Sequence, residues 1–209
     1  MRVGIFGGTF DPVHLGHLIL AEQARDHLQL DAVWFVPALR PPQKEGQPIT
    51  RFEQRLEMLE LAIAGHPAFR IDPREGSRPG PSYTADTLDE LAAAHPEHEW
   101  FLLLGGDSLV DLPRWFAPQR IVQRATLGVM ARPGTPLPQE IDLERTIGIR
   151  PNVKIVPAPQ IDIRSRNLRQ RVQQGRSIRY LVPRAVEVFI QQRKLYSHEN
   201  SPLSSSSSS

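Results

Sequence analysis

Short apolar runs recur along the chain at Val3–Phe6, Ala32–Val36, Phe69–Ile71, Trp100–Leu104, Leu127–Ala131 and Val153–Val156. Their length and continuous apolar character are those of strands buried on both faces. Between them lie stretches with the three- and four-residue spacing of helices. Residues 17–28 place Leu18, Ala21, Ala24, Arg25 and Leu28 on one side, and residues 52–64 place Phe52, Leu56, Leu59 and Ile63. Residues 84–94 open on Thr84, a cap-type residue, and align Leu88, Leu91 and Ala92. Residues 182–194 give a last helix with Pro183 in its first turn, where proline is tolerated. Strands alternating with helices predict an α/β fold, a doubly wound parallel sheet with right-handed crossovers. In such sheets ligands bind beyond the carboxyl ends of the strands, so the loops after each strand are where chemistry is expected.

Length and composition narrow this picture. A chain of 209 residues suits one domain plus a tail. We assign residues 1–196 to the domain and 197–209, ending in six serines, to a disordered tail. The 20 prolines, about twice ordinary usage, cluster in loops and imply stiff connections. No apolar stretch approaches a membrane span, and the first residues enter a strand pattern rather than a secretion signal. The absence of cysteine excludes disulfides, thiol catalysis and thiolate zinc sites, and a cytoplasmic location fits. The net charge of +2 hides an asymmetry: residues 164–194 hold nine basic residues and one acid, Glu187, leaving the remainder at −6. Such a segment suits an anionic partner or is a solvated basic face. Only Tyr180 and Phe189 are aromatic there, so no nucleic-acid stacking platform is expected.

The strongest chemical signal is GIFGGTFDPVHLGHL, Gly4–Leu18. A buried strand ends at Phe6, Gly7 and Gly8 turn the chain, and a helix follows from about Leu15. Glycines allow close backbone approach to a ligand, and a helix N-terminus offers free N–H groups and a positive dipole end. His14 and His17 share a face of the first turn. The result is an anion pocket holding two imidazoles. It lacks the Gly-Lys-Ser/Thr of a P-loop and the G-x-G-x-x-G fingerprint. On residues alone, His14 and His17 also admit a reading as ordinary capping residues and, with only Asp11 as a nearby third ligand, a weaker one as metal ligands, but the coincidence of strand, glycine pair, Thr9 and helix start favours the anion pocket.

The segment GGTFDPVHLGH resembles the signature of the HxGH nucleotidyltransferase superfamily, whose fold is Rossmann-like. Later segments follow in order: PALRPPQK (37–44), RFEQRLEMLELA (51–62), GPSYTADTLDEL (80–91), LLLGGDSLVDLPRW (102–115), VMARPG (129–134) and IDIRSRNLRQR (161–171). This series is similar to the bacterial nicotinate mononucleotide adenylyltransferases, over nearly all of residues 1–196. The resemblance implies a Rossmann-like nucleotidyltransferase fold with a small helical C-terminal part. It implies adenylyl transfer from ATP to nicotinate mononucleotide, giving nicotinate adenine dinucleotide and pyrophosphate in NAD biosynthesis, with Mg²⁺ carried on the ATP. The alternatives are the same chemistry on nicotinamide mononucleotide or phosphopantetheine, or a nucleotide sensor without catalysis. No nucleic acid or membrane partner is implied, and a homo-oligomer is compatible with the resemblance.

Residue roles follow from the same resemblance. His14 and His17 are the catalytic pair. ATP falls to Gly8, Thr9 and Phe10, to Gly105 and Asp107, and to Ile163, Ser165 and Arg169. The mononucleotide falls to Lys44, Tyr83, Thr84, Trp115 and Arg132. No metal-ligating residue is assigned. On residues alone Asp107 is equally a helix cap, and Arg51 and Arg55 read equally well as surface charges. Two departures stand out: Ile163–Arg169 reads I-R-S-R-N-L-R where the family has ISSTxIR, so Arg164 and Arg166 replace hydroxyl residues, and Gln43 stands where histidine is common. We expect Ser165 to cap the following helix and Arg164–Arg169 to meet the triphosphate.

Overall fold

The computed structural model describes residues 1–44, 46–131 and 142–197. The sequence-predicted tail, apart from Ser197, and Arg132 therefore lie outside the described residues. Among these residues a six-stranded parallel sheet runs β1 (Arg2–Gly8), β2 (Ala32–Pro37), β3 (Phe69–Ile71), β4 (Glu99–Gly105), β5 (Thr126–Ala131) and β6 (Val153–Pro157). Its spatial order is β3-β2-β1-β4-β5-β6. All six predicted runs are strands, each extended by no more than two residues at either end. Every residue of β2 is buried, as expected for a strand covered on both faces.

The chain order explains the layering. From β1 the path steps outward through β2 to β3, then crosses back to β4 and steps outward the other way. A fixed crossover hand requires the two directions to place their helices on opposite faces. On one face α1 (Leu15–His27) and α2 (Phe52–Ile63) pack Leu20, Ala24, Met58 and Leu59 against Phe6, Phe35, Phe101 and Leu103. On the other, α3 (Thr84–Ala94), α4 (Gly106–Asp111), α5 (Pro118–Arg124) and α6 (Leu143–Ile147) pack against Val3, Ile5, Trp34, Trp100, Leu102 and Leu104. The period of two along β4 assigns alternate side chains to the two cores.

The C-terminal helices α7 (Ser165–Gln173) and α8 (Arg184–Gln192) return to the α1/α2 face. There Leu168, Val186, Phe189 and Ile190 join the same core as α1 and α2. Two capping expectations are corrected. Tyr83, not Thr84, is the N-cap of α3, and Thr84 is its first helical residue. Arg164, not Ser165, is the N-cap of α7, because the Ser165 hydroxyl donates instead to the Pro12 carbonyl at 2.9 Å. No described helix is long and apolar enough to cross a membrane.

Leu88 on α3 is fully buried. Leu88→Ala is expected to destabilise the fold by about 2–5 kcal/mol in urea unfolding, from lost transfer energy and a residual cavity. Val110→Ala, on the exposed side of α4, should stay within about 0.5 kcal/mol of the parent.

Candidate active site at the sheet's switch point

The reversal between β1 and β4 leaves a crevice outside their carboxyl ends, the position where open α/β sheets bind ligands. Gly8 ends β1 and Gly105 ends β4. From Gly8 the chain passes through Thr9–Val13 into α1. Gly8 has no room for a side chain, since a Cβ there would come within 2.9 Å of the Phe10 ring. Phe10 itself holds a φ of 49°. Its ring packs edge-on against Phe6 and His17, at 5.9 and 5.1 Å between centroids.

His14 is the N-cap of α1 and is buried. His14 and His17 lie stacked, ring centroids 3.6 Å apart. The His14 backbone N–H donates to His17 Nδ1 at 3.2 Å. With Nδ1 an acceptor, Nε2 is the nitrogen that carries the proton in the neutral ring. Gly16 completes the pair's geometry: a Cβ there would meet His14 Nδ1 at 3.0 Å. The two histidines are thus both capping residues and a rigid pair at a helix N-terminus.

The loop carbonyls are held from outside. Arg55 donates from Nη1 to Thr9 O at 2.7 Å and from Nε to Thr50 O at 2.9 Å. Arg55 is 1% exposed, so the surface-charge reading of it is corrected, whereas Arg51 is exposed with its guanidinium 3.6 Å from Glu53. A buried arginine satisfied by backbone carbonyls has no signature in sequence; its α2 position beside Leu59 is the one hint. Arg169 donates to Asp11 O at 2.7 Å. Ser165 and Arg169 therefore both reach the β1–α1 loop. Ile163 is half-buried against the core beneath it. Arg164 is exposed and paired with Asp162 at 3.0 Å, and Arg166 is exposed.

Beside Gly7, Gly8 and Thr9 opens a cavity of about 250 Å³, lined also by Pro42, Glu75, Ser82, Thr84, Ser108 and Trp115. The Ser82 hydroxyl accepts from the Leu39 and Arg40 amides at 3.0 and 3.2 Å, which fastens the loop after β2 to the start of α3. Tyr83 stacks on Phe116 at 4.4 Å. Lys44 and Tyr83 line an adjoining cavity of about 400 Å³. Burial, then the Arg169 charge, lowers the Lys44 pKa from its usual range. Asp107 is exposed in the first turn of α4, whose N-cap is Gly105, so Asp107 is not the cap.

Sequence reasoning missed Glu75 and Phe116. Glu75 is buried, accepts from the Thr87 hydroxyl at 2.6 Å and lies 3.5 Å from Arg78. Burial is the largest influence on it and raises its pKa, against the lowering effect of the Thr87 and Ser82 hydroxyls and Arg78. Among the described residues the one cluster with three metal-type ligands, His95, Glu97 and His98, sits before β4, at the opposite end of the sheet from this crevice.

Residues 5–171 match the cytidylyltransferase-like family. A protein of Thermomicrobium roseum named "Probable nicotinate-nucleotide adenylyltransferase" is 48% identical over 195 residues, 93% of this chain and 91% of that one. The chain belongs to this family. A Thermus thermophilus member with the same name is 46% identical over 198 residues, 94% of this chain and all of that one. The Plasmodium falciparum nicotinic acid mononucleotide adenylyltransferase complexed with NaAD shares the fold at a TM-score of 0.77 and 18% identity, covering 93% of this chain and 97% of that one.

Because native Glu75 binds its proton more tightly than the unfolded chain does, its contribution to stability is full at low pH. It is lost as pH rises from the ordinary carboxylate range through the raised native pKa. In urea unfolding across that window, the wild type should lose stability relative to Glu75→Gln. A constant difference between the two would remove the effect assigned to Glu75.

Proposed function

We propose that this protein transfers the adenylyl group of ATP to nicotinate mononucleotide, forming nicotinate adenine dinucleotide and pyrophosphate in NAD biosynthesis. The observation that carries this reading is the stacked His14–His17 pair at a helix N-terminus, directly after the Gly7–Gly8 turn at the switch point. The mononucleotide phosphate is already a nucleophile at neutral pH, so no covalent enzyme intermediate is needed. Its oxygen attacks the α-phosphorus in line as the bond to pyrophosphate breaks. Catalysis is then positioning together with stabilisation of charge on the transferred phosphoryl oxygens.

In this reading His17 donates from Nε2 to an α-phosphoryl oxygen, and His14 fixes the His17 ring while adding its own contact. Gly8, Thr9 and the Phe10 amide form the phosphate cradle. Gly105 lets the adenosine approach β4, and Asp107 bonds ribose hydroxyls. Arg169 keeps one nitrogen on Asp11 and offers the remainder to the β- and γ-phosphates, with Ser165 and Ile163 shaping that wall. Mg²⁺ enters as part of the substrate, bound to the triphosphate.

The pyridine ring occupies the cavity between Trp115 and the start of α3. Orphan amides at the Thr84 end of that helix favour an anion, hence the acid over the amide. Glu75 lines the same cavity with the Arg78 guanidinium 3.5 Å away, which offsets its charge toward a nicotinate carboxylate. Lys44 and Tyr83 contact the mononucleotide phosphate and ribose. A cytoplasmic setting supplies both substrates.

Purified protein given ATP, Mg²⁺ and each acceptor in turn should release pyrophosphate fastest with nicotinate mononucleotide. No release with that acceptor, or faster release with nicotinamide mononucleotide or phosphopantetheine, would overturn the assignment. His17→Ala should lower kcat by roughly 10²-fold or more with the circular dichroism spectrum unchanged. An unaltered kcat would remove His17 from the chemistry.

A further inference from the structure

Between Gly8 and Leu15 the chain has no regular structure, yet it carries the phosphate cradle and the first histidine. Its shape must come from side chains that bind it. Asp11 sits at its centre, 3% exposed. The Tyr196 hydroxyl donates to Asp11 Oδ1 at 2.6 Å, across 185 positions of sequence. The Thr50 amide donates to Asp11 Oδ2 at 3.2 Å, and the Arg169 guanidinium to Asp11 O.

The backbone on both sides of this contact is unusual. Phe10 has a φ of 49°, Lys194 of 51° and Tyr196 of 63°. Bulky residues avoid this left-handed region, and where they occupy it the surrounding structure must hold them there. The chain therefore adopts two unfavourable conformations in its last described turn, where α8 ends and the Tyr196 phenol reaches Asp11. On the other side, Phe10 turns immediately before Asp11. Burial is the largest cause that lifts the Tyr196 pKa well above its usual range, so the phenol stays neutral and remains a donor to the carboxylate.

We propose that Tyr196, acting through Asp11, is a positioning residue for adenylyl transfer: it fixes the Phe10–His14 segment and with it the His14–His17 pair. The inference rests on the function proposed above. Because a trans peptide directs its C=O and N–H oppositely, Arg55 on the Thr9 carbonyl orients the Phe10 amide. The Tyr196–Asp11 bond sets the next residue, three positions before the cap residue His14. Releasing it removes no group that touches substrate but permits the loop that carries them to drift. Drift of about 1 Å in such a loop costs as much as 10²-fold in rate.

Tyr196→Phe removes only the hydroxyl. Relative to wild type, kcat should fall roughly tenfold, within that limit, with KM for the mononucleotide unchanged. The ¹⁵N signals of the His14 and His17 side chains should shift. Tyr180→Phe, an exposed control, should alter neither. Asp11→Asn keeps one oxygen for the phenol but turns an N–H toward the Thr50 amide, and should shift the same histidine signals. Unchanged histidine signals, or a lowered thermal midpoint with unchanged kcat, would overturn the proposal. If the wild type itself releases no pyrophosphate, the functional reading fails, while the histidine signals still decide whether Tyr196 sets the loop.

Discussion

Strand β1 lies between β2 and β4, and the crossovers that leave the two sides of the sheet run in opposite directions. Because crossover handedness is fixed, the helices that follow fall on opposite faces and cannot close over the carboxyl end of β1. That opening exists before any particular side chain is chosen. What this sequence adds is a way to furnish it: two glycines that bring backbone to the edge of the crevice, and a helix whose first turn holds two imidazoles. The α3 face contributes the aromatic and acid-lined cavity. The α1/α2 face contributes Arg55, Arg169 and Tyr196, which hold the loop from behind.

The excess positive charge of residues 164–194 resolves into separate local tasks. Arg169 reaches the β1–α1 loop, Arg171 donates to the Ser177 carbonyl, Arg184 pairs with the buried Glu187, and Arg164 pairs with Asp162. The start of α7 reaches the β1–α1 loop through Ser165 and Arg169, and the Leu181 carbonyl accepts from the Leu15 amide at the start of α1 at 3.0 Å. The pair formed by Arg164 is exposed on both sides, so it holds little energy. Arg164 and Arg166 are exposed on either side of Ser165, which serves the fold by bonding Pro12.

The sheet was legible because its strands are continuous apolar runs bounded by turn residues, and a parallel sheet follows once helices of full length alternate with them. Helices α4, α5 and α6 escaped because five to seven residues do not complete two turns of periodicity. Helix α7 was legible only through Ser165 as a cap-type residue, because with Leu168 its one buried residue it shows no apolar period. The glycine–histidine loop was legible as a candidate site, since a strand end, a glycine pair and two histidines at a helix start coincide there. Arg55, Glu75 and Tyr196 were not, because what defines each is a partner distant in sequence. A charged residue at a helical position reads as solvated until the fold shows it to be 1% exposed.

The central claim is that the crevice positions two substrates for direct transfer, without a protein-bound adenylyl intermediate. The stereochemical course at phosphorus tests this most directly. With ATP made chiral at the α-phosphorus by sulfur substitution and nicotinate mononucleotide as acceptor, a single in-line displacement inverts configuration in the dinucleotide product. Inversion is the predicted result. Retention would mean two displacements through an enzyme-linked adenylyl group, and would contradict the account.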